Sequence, residues 1–200
     1  MIRHHVGIGF ICMGLAACGS TSGPGLNQEY QATDDARVRL FGQNGKPSVM
    51  TVTVGEEGQL RRIKVNVGGG VGEAFGSMLG LVDHHSIGMA PTLNTQSVRQ
   101  MSGILSKAFY KEFIVPANRA VTVNNAFIGL SNSHNDRVTG VRTVTRQASC
   151  RSPEVTFTPL AGRDYEVATY ADGQRCVVEV FELQAVGDDG LASLVPVLTQ

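Results

Sequence analysis

The chain has 200 residues, and its 17 Lys+Arg against 17 Asp+Glu leave a formal net charge of +0, which excludes a nucleic-acid binder driven by a net positive field. Charged residues are only 17% and hydrophobic residues 42%, a balance that excludes a disordered chain and suits one folded domain, with or without a tail. Twenty-four glycines and no Trp, beside many Val and Thr, favour strands and turns over helices.

The first segment, Met1-Ile2-Arg3-His4-His5, is short and basic, and residues 6–15 are apolar. That run is shorter than the ~20 residues needed to span a bilayer, so it suits a secretory leader. It ends in Leu15-Ala16-Ala17-Cys18, followed by Gly19-Ser20. These residues resemble a bacterial lipobox, in which small side chains fit the peptidase groove and the cysteine thiol takes a diacylglycerol. The resemblance implies cleavage before Cys18, an acylated amino terminus and membrane lipid as a partner. Gly19, where Asp would favour inner-membrane retention, implies the outer membrane, with the domain facing the periplasm. An ordinary signal peptide with a fortuitous cysteine, or a core helix, is the alternative. The expected organisation is a signal with lipidated Cys18 over residues 1–18 and a flexible tether over 19–34, opening with Gly19-Ser20-Thr21-Ser22-Gly23-Pro24-Gly25.

The folded part, residues 35–186, reads as strands. Residues 36–40, 49–54 and 62–67 alternate apolar and polar positions, with Asn44-Gly45 and then Gly55 and Gly58 marking turns; the three runs predict a meander. Residues 109–115 and 119–127 predict a hairpin about Pro116-Ala117-Asn118. Residues 155–157 and 164–170 predict another about Pro159-Leu160-Ala161-Gly162, and Asp172-Gly173 predicts a third, with its return strand over 175–183. About eight short strands with regular turn signals predict a mainly β domain, a two-sheet antiparallel β-sandwich with one short helix or loop insertion at about 68–108. In the insertion, Asn94 predicts a helix cap with the helix over 95–108. Residues 187–200 form a C-terminal tail, of which 191–198 suit an edge strand or a docked segment.

The spacing Phe157-x-Pro159-x-x-Gly162-x-x-Tyr165-x-Val167 resembles transthyretin-like and carboxypeptidase-regulatory-like sandwich domains, and small proteobacterial lipoproteins that carry them. The resemblance spans roughly residues 109–183. It implies a scaffold or binding module rather than a particular activity.

With Cys12 removed with the leader and Cys18 acylated, Cys150 and Cys176 remain as an even pair, and a disulfide is the expected state in an oxidising compartment. Two buried thiols are the alternative. Asp83-His84-His85 is the densest cluster of metal-ligating residues, and His134 and Asp136 are candidates to join it around zinc or copper. Adjacent histidines on an extended chain point to opposite faces, however, and no His-Glu-x-x-His spacing is present. Gly68-Gly69-Gly70-Val71-Gly72 superficially resembles a phosphate loop, but its glycine spacing is wrong for a dinucleotide fold; a mobile loop or close backbone packing is the alternative. Ser86 beside His85 lacks a Gly-x-Ser-x-Gly elbow. Arg137, Arg142, Arg146 and Arg151 are candidates for an anionic partner, and Met89 for an adaptable protein contact, or else for a residue tucked into the core. No catalytic residue, cofactor or nucleic-acid partner is expected. The function expected is that of a membrane-anchored module binding or supporting an envelope protein or glycan, with a metal carrier or metal-dependent hydrolase at Asp83, His84 and His85 as the alternative.

Overall fold

The computed structural model describes residues 29–200 apart from 57, 80, 103–105, 130, 136–141, 147–148 and 173–174. The leader, Cys18, most of the tether, Asp136 and Arg137 therefore lie outside the described residues. Strands run over β1 Asp35–Gly42, β2 Ser48–Val54, β3 Arg61–Val67, β4 Phe109–Pro116, β5 Val121–Phe127, β6 Ser131–Asn135 and β7 Arg142–Arg146. They continue as β8 Cys150–Arg151, β9 Val155–Phe157, β10 Asp164–Asp172, β11 Arg175–Val186 and β12 Ala192–Pro196. Among the described residues, two short helices, α1 Val71–Met78 and α2 Leu93–Ser97, lie between β3 and β4.

The molecule is a two-sheet β-sandwich. One sheet has the order β12-β11-β10-β1-β4; the other has β3-β2-β5-β8, with β9 also pairing β5. A separate ribbon joins β6 and β7. Among the described residues, the strand pairings are antiparallel except β1 with β10, which run parallel. Val38, Leu40, Met50, Val52, Val121, Val123, Tyr165 and Val167 fill the space between the sheets. They sit at alternate positions on their strands, as a pleated backbone with one face inward requires.

The alternating segments are strands, but several predicted hairpins are corners. The turn at Asn44 and Gly45 carries the chain from β1 in the first sheet to β2 in the second, so only β2 and β3 pair from the expected meander. The turn after Pro116 likewise leads from β4 to β5 across the sandwich, with Asn118 at φ 58°. The turn ending in Gly162, at φ 73°, leads from β9 to β10. Turn residues permit a reversal, whereas the partner of each strand is set by which apolar faces must meet. The Phe157–Val167 spacing is one such corner. Phe157 and Tyr165 meet in the core with ring centroids 5.3 Å apart, and the Tyr165 hydroxyl accepts a hydrogen bond from the Leu160 N–H at 2.9 Å. Asp172 and Arg175, by contrast, close a true β10–β11 hairpin.

The predicted long helix is replaced by α2, five residues capped by Thr92 rather than Asn94. The Thr92 side chain accepts from the Thr95 N–H, and the Thr95 hydroxyl oxygen accepts from the Thr92 N–H. The chain leaves the helix after Ser97 and must deliver Ala108 to the start of β4, while residues 103–105 of the expected helix lie outside the described residues. The tail supplies β12, an edge strand on β11.

Cys150 and Cys176 form a disulfide with Cα atoms 5.4 Å apart. It joins β8 of one sheet to β11 of the other. Closing a loop of this sequence separation, 26, contributes roughly 3–4 kcal/mol in the chain-entropy account. Replacing both cysteines by serine is expected to lower the unfolding free energy by about that amount in urea titrations while leaving the far-ultraviolet dichroism of the folded state unchanged.

Candidate functional site

Alternation along β1 sends Val38 and Leu40 into the core and Arg37, Arg39 and Phe41 to the opposite face of the sheet. Register then fixes their neighbours. Arg39 stands opposite Glu112 on β4 and opposite Glu166 on β10. Arg37 stands opposite Asp164, and they form a two-point ion pair with both contacts at 2.7 Å. Phe41 stands opposite Tyr110.

This outer face is not left to solvent. Arg39 is 1% exposed, Glu112 2% and Glu166 0%, because residues 86–94 are laid across them as a strap. Arg39 donates from Nε and Nη2 to Glu112 Oε1 at 3.0 and 2.7 Å, and from Nη1 to Glu166 Oε2 at 2.9 Å. Its Nη2 also donates to the Ala90 carbonyl at 2.9 Å. Glu112 Oε2 accepts from the Ser86 hydroxyl and from the backbone N–H groups of Ile87 and Met89. Glu166 accepts from the Thr92 hydroxyl and the Asn94 side-chain amide. One cation and two anions leave a formal charge of −1 in a dry site, which is tolerable because each carboxylate oxygen carries a charged or amide donor. The strap and the charges stabilise each other.

The sequence candidates fall around this cluster in different ways. Met89 is not an exposed anchor for a partner; it packs against Leu183 and Ala192 beneath the strap, since its own N–H is held by Glu112. Ser86 serves the strap and also accepts from the Gly88 N–H. His85 forms an isolated parallel bridge with Lys111 at the β4 edge, its N–H donating to the Tyr110 carbonyl and its carbonyl accepting from the Glu112 N–H. His84 stacks on Tyr110 with centroids 4.4 Å apart, and its Nδ1 accepts from the Tyr110 N–H at 3.3 Å. Asp83 is exposed and faces Lys107 at 3.6 Å. Among the described residues no three His, Cys, Asp or Glu side chains converge to hold a metal. His134 lies on β6, paired in register with Thr143 on β7. Arg142 and Arg146 begin and end β7, while Arg151 lies on β8, so the basic run is divided between the ribbon and the second sheet. The glycine cluster includes one close backbone approach, and Gly42 outside it makes another. A Cβ on Gly68 would meet Gln43 N at 2.6 Å, and Gly42 lies similarly against the Val67 carbonyl.

Arg39, Glu112 and Glu166 were not singled out by motif. The available signal was one Arg and two Glu at outward positions of strands, opposite an insertion long enough to cover them; the pairing that unites them is invisible before topology. Beside the strap, at the end of the sandwich where β1, β5 and β10 finish, lies a groove of about 400 Å3. Phe41, Phe127, Tyr170, Met101 and Ala168 are among its walls, with Lys46 also lining it. Asn94 reaches the same wall while bonded to Glu166, so the buried cluster helps to shape the groove. No family model, no curated protein and no solved structure matches the chain.

Two outcomes follow from this geometry. Arg39→Met leaves two carboxylates buried without their cation and is expected to cost about 3–5 kcal/mol of stability, measured by denaturant unfolding. His84 is held below its ordinary pKa, first by desolvation and then by Lys107 and Arg99, with Asp83 opposing. The unfolded chain therefore binds a proton near pH 6.5 that the folded chain refuses. The contribution is fully present above that pH and is lost as pH falls toward the folded-state value. His84→Gln is expected to flatten this part of the dependence of the urea midpoint on pH.

Proposed function

We propose that the chain is an outer-membrane lipoprotein anchored through Cys18, with its sandwich facing the periplasm as a non-catalytic binding or structural module for an envelope protein or glycan. The observation that carries this reading is the Cys150–Cys176 disulfide between the sheets, a bond suited to an oxidising compartment and in agreement with the leader-like residues before Cys18. Support for a non-catalytic role comes from Arg39, Glu112 and Glu166, whose charges are engaged with each other and with the strap. In this reading the mechanism is localisation. Acyl chains contribute ~0.8 kcal/mol per buried methylene, and a flexible tether holds the domain at high effective concentration beside membrane partners.

Cys18→Ser tests the anchor. Wild-type protein is expected to incorporate labelled palmitate and to sediment with membranes. The variant is expected to lose the label and leave the membrane fraction while keeping the wild-type melting temperature. Equal labelling, or unchanged membrane retention of the variant, overturns the reading.

A further inference from the structure

The groove at the end of β1, β5 and β10 combines an apolar wall with one cation. Phe41 and Ala168 lie on the strap-covered outer face of the first sheet and Phe127 comes from the other sheet, so the hollow wraps around the end of the first sheet where β1 stops. Two of its lining residues neighbour the disulfide: Phe127 stands opposite Cys150 on β8, and Ala171 opposite Cys176 on β11. Lys46 carries its ammonium over the Phe127 ring at 5.3 Å and has no carboxylate within ion-pair distance among the described residues. Farther in along the second sheet's inner face, Asn125 and Ser48 are buried, and their side-chain polar atoms have no partner among the described residues.

We propose that this groove binds a small apolar monocarboxylate, with its hydrocarbon body against Phe41, Phe127 and Ala168 and its carboxylate at Lys46. The volume, about 400 Å3, lies at the small end of the range for ligand sites and suits a chain of medium length. An apolar body recovers the stabilisation of area removed from water. The ammonium supplies a charge-assisted contact at one end. The formal −1 of the buried cluster lies on the strap side, which orients an anion with its charged end away from Glu166 and toward Lys46. This inference rests on the reading of the sandwich as a binding module and is independent of the lipid anchor.

Octanoate is the probe, with 1-octanol as its uncharged counterpart. Both are titrated calorimetrically into the full chain in lipid nanodiscs, with empty nanodiscs of the same lipid as the blank. One saturable site for octanoate is expected. Lys46→Glu is expected to weaken octanoate by about tenfold while changing octanol much less. Ala168→Phe, which fills the hollow, is expected to abolish both signals, and Ala168→Ser at the same position to retain them. Melting temperatures near wild type establish that the variants are folded. Absence of saturable octanoate binding above the blank, or binding indifferent to both Lys46→Glu and Ala168→Phe, overturns the groove proposal. Neither result touches palmitate labelling at Cys18, and saturable octanoate binding in a chain that fails to incorporate palmitate would remove the anchor alone.

Discussion

Arg39 is the residue on which the rest of the arrangement depends. A guanidinium on the outer face of a sheet would ordinarily extend into water. Here the strand order places a glutamate on either side of it in one row, and residues 86–94 close over the three. A sheet that would have had one dry face therefore has two. β1 is buried along nearly its whole length, the usual situation of a strand covered on both sides. The cost of dehydrating three charges is offset by the hydrogen bonds that the strap donates, and these bonds fix the path of the loop together with the packing of Met89 and Ala90.

That fixed path has a consequence at the end of the sandwich. Thr92 and Asn94 are both bound to Glu166, which sets where α2 begins. Asn94 and Met101 then form part of the groove wall. The opposite wall belongs to the second sheet, and the Cys150–Cys176 bridge holds the two sheets together beside it. Charge cluster, strap, disulfide and groove form one connected structure, in which the electrostatic and covalent constraints lie on either side of the concavity. The proposed binding role draws on that arrangement, whereas the proposed anchor draws on Cys18 and the residues before it.

The corners of the sandwich explain the main differences between local pattern and fold. Asn44-Gly45, Asn118 and Gly162 each adopt the turn their chemistry favours, yet each turn joins strands of different sheets. A hairpin and a corner share the same local requirement, a tight reversal with one residue in the left-handed region. They differ only in whether the next strand pairs with its predecessor or packs against it, and that is decided by distant faces. The parallel pairing of β1 with β10 is the clearest instance, since it joins residues separated by most of the domain.

The β class, the positions of most strands and the turn residues are legible in period-two alternation and in residues that favour positive φ, which are local properties, and the Cys150–Cys176 bridge is the state expected of the cysteine pair downstream of the leader-like segment. The sequence marked Cys18 as the candidate anchor on equally local grounds. Tertiary structure decided which strands share a sheet, why α2 is five residues long, that Met89 is buried, and that His84 and His85 serve the β4 edge. It also decided the meeting of Arg39, Glu112 and Glu166. The physical reason is common to all of these: burial of a charge or a methionine, and the partner of a strand, depend on groups far away along the chain that only the folded topology brings into contact.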